Sequence, residues 1–225
     1  MRRPERADVD SFVSFWPRDP DIARAGEGGG TTGLILPGSG NLFGGRGNVM
    51  KLKPGRSAFE MIFPGAPQSL KMACGENPKR VHGEGKGTPQ SRMGNVAGYR
   101  KAWISAKQYQ KKRADEGKKN KSKNKKAVVA GKNSHGAGDD GDDDKDKEGE
   151  RDLSMETLVG VLEGRILIQN HCYRADEMEV MISIAHEFGY KIRAFHHAVE
   201  AYKTRDLLAK EEIAVATWPD WWGFK

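Results

Sequence analysis

The chain has 225 residues, of which 36% are hydrophobic and 31% charged, with a formal net charge of +7 and two cysteines. No apolar run approaches the roughly 18–20 residues of a membrane span, and the charged start "MRRPERADVDSF" lacks the apolar segment of a secretory signal. Two cysteines, Cys74 and Cys172, do not make a disulfide framework, so a reducing, intracellular and cytoplasmic setting without a membrane partner is expected.

Residues 1–30 are polar and loop-like, with "DIARAGEGG" as the end of a helix. "TTGLILP" reads as a short buried strand that opens into a Gly-rich loop, "GSGNLFGGRG". That loop misses the G-x-G-x-x-G fingerprint by one position and no Gly-Lys-Ser/Thr follows, so it reads as a flexible loop near a site and not as a nucleotide cradle. "LKMAC" is a further short strand, and "GENPKRVHGEGKGTPQ" a loop that holds His82. In "MGNVAGYRKAWISAKQYQKK" the residues Val96, Tyr99, Trp103, Ala106 and Tyr109 recur at the spacing of one buried helix face.

Residues 111–150 set the basic run "KKRADEGKKNKSKNKK" against the acidic run "DDGDDDKDKEGE". A stretch so poor in apolar residues buries too little surface to order itself, and it is expected to be a disordered charged insert. It lacks interleaved aromatics for base stacking, and its acidic block repels phosphate, so no nucleic-acid partner is predicted. His135 lies within it. The insert divides the chain into 1–110, 111–150 and 151–225.

From residue 152 the pattern is regular. "LSMETLVGVLEG" is a helix ending at Gly164, "RILIQNH" a strand, and "RADEMEVMISIAHEFG" a helix closed by Gly189. "YKIRAFHH" is a strand, "AVEAYKTRDLLAKE" a helix and "IAVATW" a last strand. This alternation with short connections predicts parallel strands and crossover helices, in a barrel or a doubly wound sheet. Either fold places ligands at the C-terminal strand ends.

Two histidines fall at those ends. His171 closes one strand, and "FHH" closes the next, where alternation allows only one of His196 and His197 to point inward and does not decide which. Neutral imidazoles from separate strand ends suit zinc and similar ions. Lys71 sits in a short apolar strand, where it must be paired with an acid or chemically modified. Either Glu76 or a carboxylated Lys71 could add an oxygen ligand. Tyr173 and Arg174, beside His171, are candidates to face a substrate. Cys172 reads as packing, and His82 and His186 as bystanders.

The segments "GGGTTGLILPGSGNLFGG", "LKMACGENPKRVHG", "SRMGNVAGYRKAW", "NHCYRADEM", "FHHAVEAYK" and "WPDWWGFK" together resemble the metal-dependent amidohydrolases, in their imidazolonepropionase- and prolidase-like branch. The resemblance covers most of the chain outside the insert. It implies a TIM-type (β/α) barrel, a centre of one or two divalent ions, zinc expected, and hydrolysis of C–N bonds in amides or cyclic amides by a metal-activated water. It implies that His171 and His197 are ligands, and that Lys71 is a carboxylated one, with Glu76 as the alternative. The family's H-x-H pair occurs nowhere in the sequence, and no residue matches its catalytic aspartate, for which Asp220 is a weak substitute. The α/β chain is therefore expected to be an incomplete TIM barrel, with a small-molecule amide as substrate and homo-oligomerisation left open. The contrasting expectation is a non-catalytic remnant of the same fold.

Overall fold

The computed structural model describes residues 4–53, 55, 57–84, 87–130 and 151–218, with the backbone alone for 119–130. After a 3-10 turn at Ser11–Ser14 the elements run α1 (Pro20–Glu27), β1 (Thr32–Ile35), β2 (Phe43–Lys51), α2 (Ala58–Met61), β3 (Gln68–Ala73), α3 (Glu76–Gly83) and α4 (Arg92–Ala130). Then follow α5 (Leu153–Leu162), β4 (Ile166–His171), α6 (Ala175–Phe188), β5 (Ile192–His196), a 3-10 turn at Ala201–Thr204, α7 (Arg205–Lys210) and β6 (Ala214–Ala216). The strands form one curled, half-barrel sheet in the order β1-β2-β3-β4-β5-β6. The first two pairings are antiparallel and the last three parallel. A sequential order has no topological switch point, which sets aside the doubly wound alternative.

Local chemistry explains the element ends. Asp152 caps α5 by accepting from the backbone N–H groups of Ser154 and Met155 at 2.9 and 3.0 Å. Gly164 (φ 73°) and Gly189 (φ 76°) terminate α5 and α6, as their positions in the sequence predicted. Strands β3 and β4 are buried on both faces, the condition that parallel strands need. One face carries Leu70 and Met72 of β3, Ile168 of β4 and Phe195 of β5 into a core shared with Tyr99 and Trp103 of α4, Leu158 of α5 and Met178 of α6. Trp103 packs between the rings of Phe43 and Tyr190, with centroids at 5.5 and 4.4 Å. The opposite face carries Lys71, Gln169, His171 and His196.

Three expectations need correction. The second half of the Gly-rich segment read as a loop, from Phe43, is the start of strand β2 and pairs with β3, while the rest of β2 pairs with β1. Its glycines hid it, because glycine is a poor strand former, yet the sheet requires them: a Cβ on Gly47 would lie 2.4 Å from the Leu36 side chain and 2.9 Å from the Ile35 carbonyl oxygen. The first part of the charged segment differs from the expected disorder: helix α4 runs on to Ala130, since Lys, Arg, Ala and Glu are strong helix formers whatever their apolar spacing. Residues 131–150, and His135 with them, lie outside the described residues. Finally, Cys74 and Cys172 are joined in a disulfide with Cα atoms 5.3 Å apart, so Cys172 is not mere packing. The β3–β4 register pairs Ala73 with His171, and one step further sets the two cysteines side by side across 98 residues of sequence.

Candidate functional site

The parallel ladder assembles the site. Lys71 pairs with Gln169, Ala73 with His171, and His171 with His196, so four polar side chains share one sheet face towards its C-terminal rim. All but the half-buried His196 are buried, His171 at 2% exposure and Lys71 at 4%. Burial lowers the Lys71 ammonium to about 8. Among the described residues no carboxylate offsets that cost.

Alternation along β5 ends at His196, and His197 adopts a left-handed backbone (φ 59°). Both histidines consequently reach the site, which corrects the expectation that only one could. His197 lays its ring 4.7 Å from that of His171. His196 stands 2.6 Å from Gln169 through Nε2 and Oε1. An amide oxygen only accepts, so the imidazole donates from Nε2. Burial first, then the charge of Lys71 and the neighbouring His197, push His196 down to about 4, and it is neutral at physiological pH.

The remaining partners were not visible in the sequence. Asn77, on the first turn of α3, places Nδ2 2.8 Å from Ser39 Oγ and 3.0 Å from His171 Nε2. Trp218, beyond β6, donates its indole N–H to His197 Nδ1 at 2.9 Å and stacks on that ring with centroids 5.5 Å apart. Tyr173 meets the His171 ring edge-on at 4.5 Å. Arg174 is exposed and paired with Asp176 at 2.9 Å, the surface contact expected of a residue at a helix start.

Glu76 stands exposed at the start of α3. It borders an open cavity of about 830 Å³ with Lys79, Arg80, Tyr173, Arg174 and Glu177. Its neighbour Gly75 is needed there for its backbone (φ 70°), a conformation that residues with a side chain rarely adopt. Glu177 is half-buried, and its burial raises its carboxyl pKa although Arg92 lies 2.8 Å away. His82 is not in a loop but buried in α3, 2.9 Å from Asn41 Oδ1. His186, in α6, meets Glu211 at 2.8 Å.

Among the described residues no helix is long and apolar enough to cross a membrane. No group of three or more His, Cys, Asp and Glu side chains able to hold a metal ion occurs among them either. What the rim does assemble is two imidazoles in ring contact, a third beside them, and a buried amine.

No family model matches the sequence. The chain is 34% identical over 207 residues to amidohydrolase tasK of Hapsidospora irregularis, an alignment that covers 88% of this chain and 19% of that protein. Its fold is similar to the crystal structure of an amidohydrolase from Thermotoga maritima MSB8, with a TM-score of 0.79 and 36% identity, covering 96% of this chain and 49% of that one. The chain thus spans about a fifth of the one relative and half of the other. By sequence and by fold, this chain is similar to proteins of the amidohydrolase superfamily over most of its length.

Proposed function

We propose that the chain forms part of a metal-dependent hydrolase of C–N bonds in amide or cyclic-amide small molecules, of the imidazolonepropionase- and prolidase-like branch. The observation that carries this reading is the ring contact of His171 and His197 at adjacent parallel strand ends, on the sheet face that buries Lys71. The curled sheet is read as part of a TIM-type barrel, incomplete in this chain, with its site at the C-terminal rim.

The donor set suits a divalent ion, zinc first, because two neutral imidazoles from separate strands supply nitrogen ligands. His171 and His197 would hold it. Lys71 would add an oxygen ligand once carboxylated; its lowered pKa leaves part of the amine uncharged near neutral pH, and the uncharged form is the one that adds carbon dioxide. Glu76 is the weaker alternative, as it faces the outer cavity. A bound ion would supply Lewis acidity towards the scissile carbonyl and towards water. Tyr173, against His171, would border the substrate and exclude solvent from the imidazoles, while Arg174 remains an outer-rim residue.

The lack, among the described residues, of a third His, Cys, Asp or Glu ligand favours the second reading, a non-catalytic remnant. Metal analysis separates the two. Purified chain should retain about one equivalent of zinc after dialysis, and the His171→Ala/His197→Ala double variant should retain none. Equal zinc in both would remove these histidines from the site.

A further inference from the structure

The bond between Trp218 and His197 constrains what His197 can do. An indole N–H is a donor only, so at 2.9 Å the Nδ1 of His197 must present its lone pair. A neutral imidazole then carries its one proton on Nε2. For Nε2 to bind a cation, that proton must move to Nδ1, where it would face the indole N–H. For Nδ1 to bind a cation, the ion must take the lone pair that the indole occupies. In both cases the hydrogen bond and ligation exclude one another. The second donor of the site differs, because the Asn77 amide beside His171 can turn and accept from it, whereas an indole cannot.

We propose that Trp218 is a latch on the metal site, competing with a divalent cation for His197. The inference rests on the proposed function, since it takes His197 as a ligand. The geometry suits a latch: Trp218 is 47% exposed, lies beyond β6, stacks on the imidazole and is not part of the hydrophobic core.

The test is zinc affinity of the full chain, measured by chelator competition, with Trp218→Phe as the key variant. Phenylalanine keeps a stacked ring and removes the donor. Losing one neutral hydrogen bond that competes with ligation should tighten zinc binding by roughly three- to ten-fold. Trp218→Ala should also bind more tightly. The effect should vanish in the His197→Ala background. In the wild type, the indole N–H resonance that Trp218→Phe deletes should shift upfield as zinc is added, as a hydrogen bond is lost.

Unchanged or weaker affinity in both Trp218 variants, with zinc still bound through His171 and His197, overturns the latch and leaves the proposed function standing. Wild-type chain that binds no zinc overturns both.

Discussion

Lys71→Met tests whether the site face is as buried as the structure holds. Methionine matches the stem of lysine and removes the ammonium. In the folded chain burial lowers Lys71 from the usual 10.5 to about 8, and at about 1.36 kcal/mol per pH unit the buried charge costs about 3 kcal/mol. Below pH 8 the lysine is protonated in both folded and unfolded chains, so the whole cost is present. Between pH 8 and 10.5 the folded chain has released the proton and the unfolded chain still binds it, so stability rises with pH. Above 10.5 the cost is gone. Urea unfolding of chelator-treated protein in buffer free of carbon dioxide should therefore find the variant about 3 kcal/mol more stable at pH 7. The gap should narrow through pH 9 and end near pH 10.5 at a packing difference below about 1.5 kcal/mol. A variant less stable than wild type at pH 7, or a gap that ignores pH, would show that Lys71 has a charged partner or reaches water.

Two other perturbations probe the same rim. Gln169→Leu removes the acceptor of the His196 N–H and should cost about 1–2 kcal/mol in thermal or urea unfolding, while Gln169→Glu should keep an acceptor and raise the His196 pKa, read from its ring resonances. Opening the Cys74–Cys172 link by Cys→Ala replacement at both positions frees a loop of 98 residues. Loop entropy then predicts a loss of about 4–5 kcal/mol, measurable as a lower urea midpoint. Peptide mapping without reductant should recover the two cysteines in one cross-linked fragment, and separate peptides would refute the link.

What could be read from the sequence follows from which forces leave a local trace. The elements α5, β4, α6 and β5 stand out because each buries apolar side chains, and the two helices end on residues with a mechanical reason to stop them, Gly164 and Gly189. Strand β2 leaves no such trace: glycines at 44, 45 and 47 carry no side chain to alternate, and what keeps them small lies outside the strand, Gly38 and Lys71 at Gly44, Val9 and Arg6 at Gly45, and Ile35, Leu36 and Ser69 at Gly47. Helix α4 runs into the charged run for a related reason, since backbone propensity acts where burial does not, and apolar periodicity detects only burial.

The site itself was half legible, and the missing half is all pairwise. His171 and His197 were visible as strand ends, but the reach of both histidines of "FHH" depends on one backbone angle, φ 59° at His197, that the strand pattern does not encode. Asn77, Gln169 and Trp218 acquire their roles only through register and chain return, over separations of 94, 27 and 21 residues. The same holds for the cysteines, which neighbour the site because the ladder that sets Ala73 beside His171 runs one step further. That step ties the rim together beside His171, so the cross-link and the imidazole pair are mechanically one unit. Loosening the first should spread the second, and metal retention should fall along with the urea midpoint in the Cys→Ala protein.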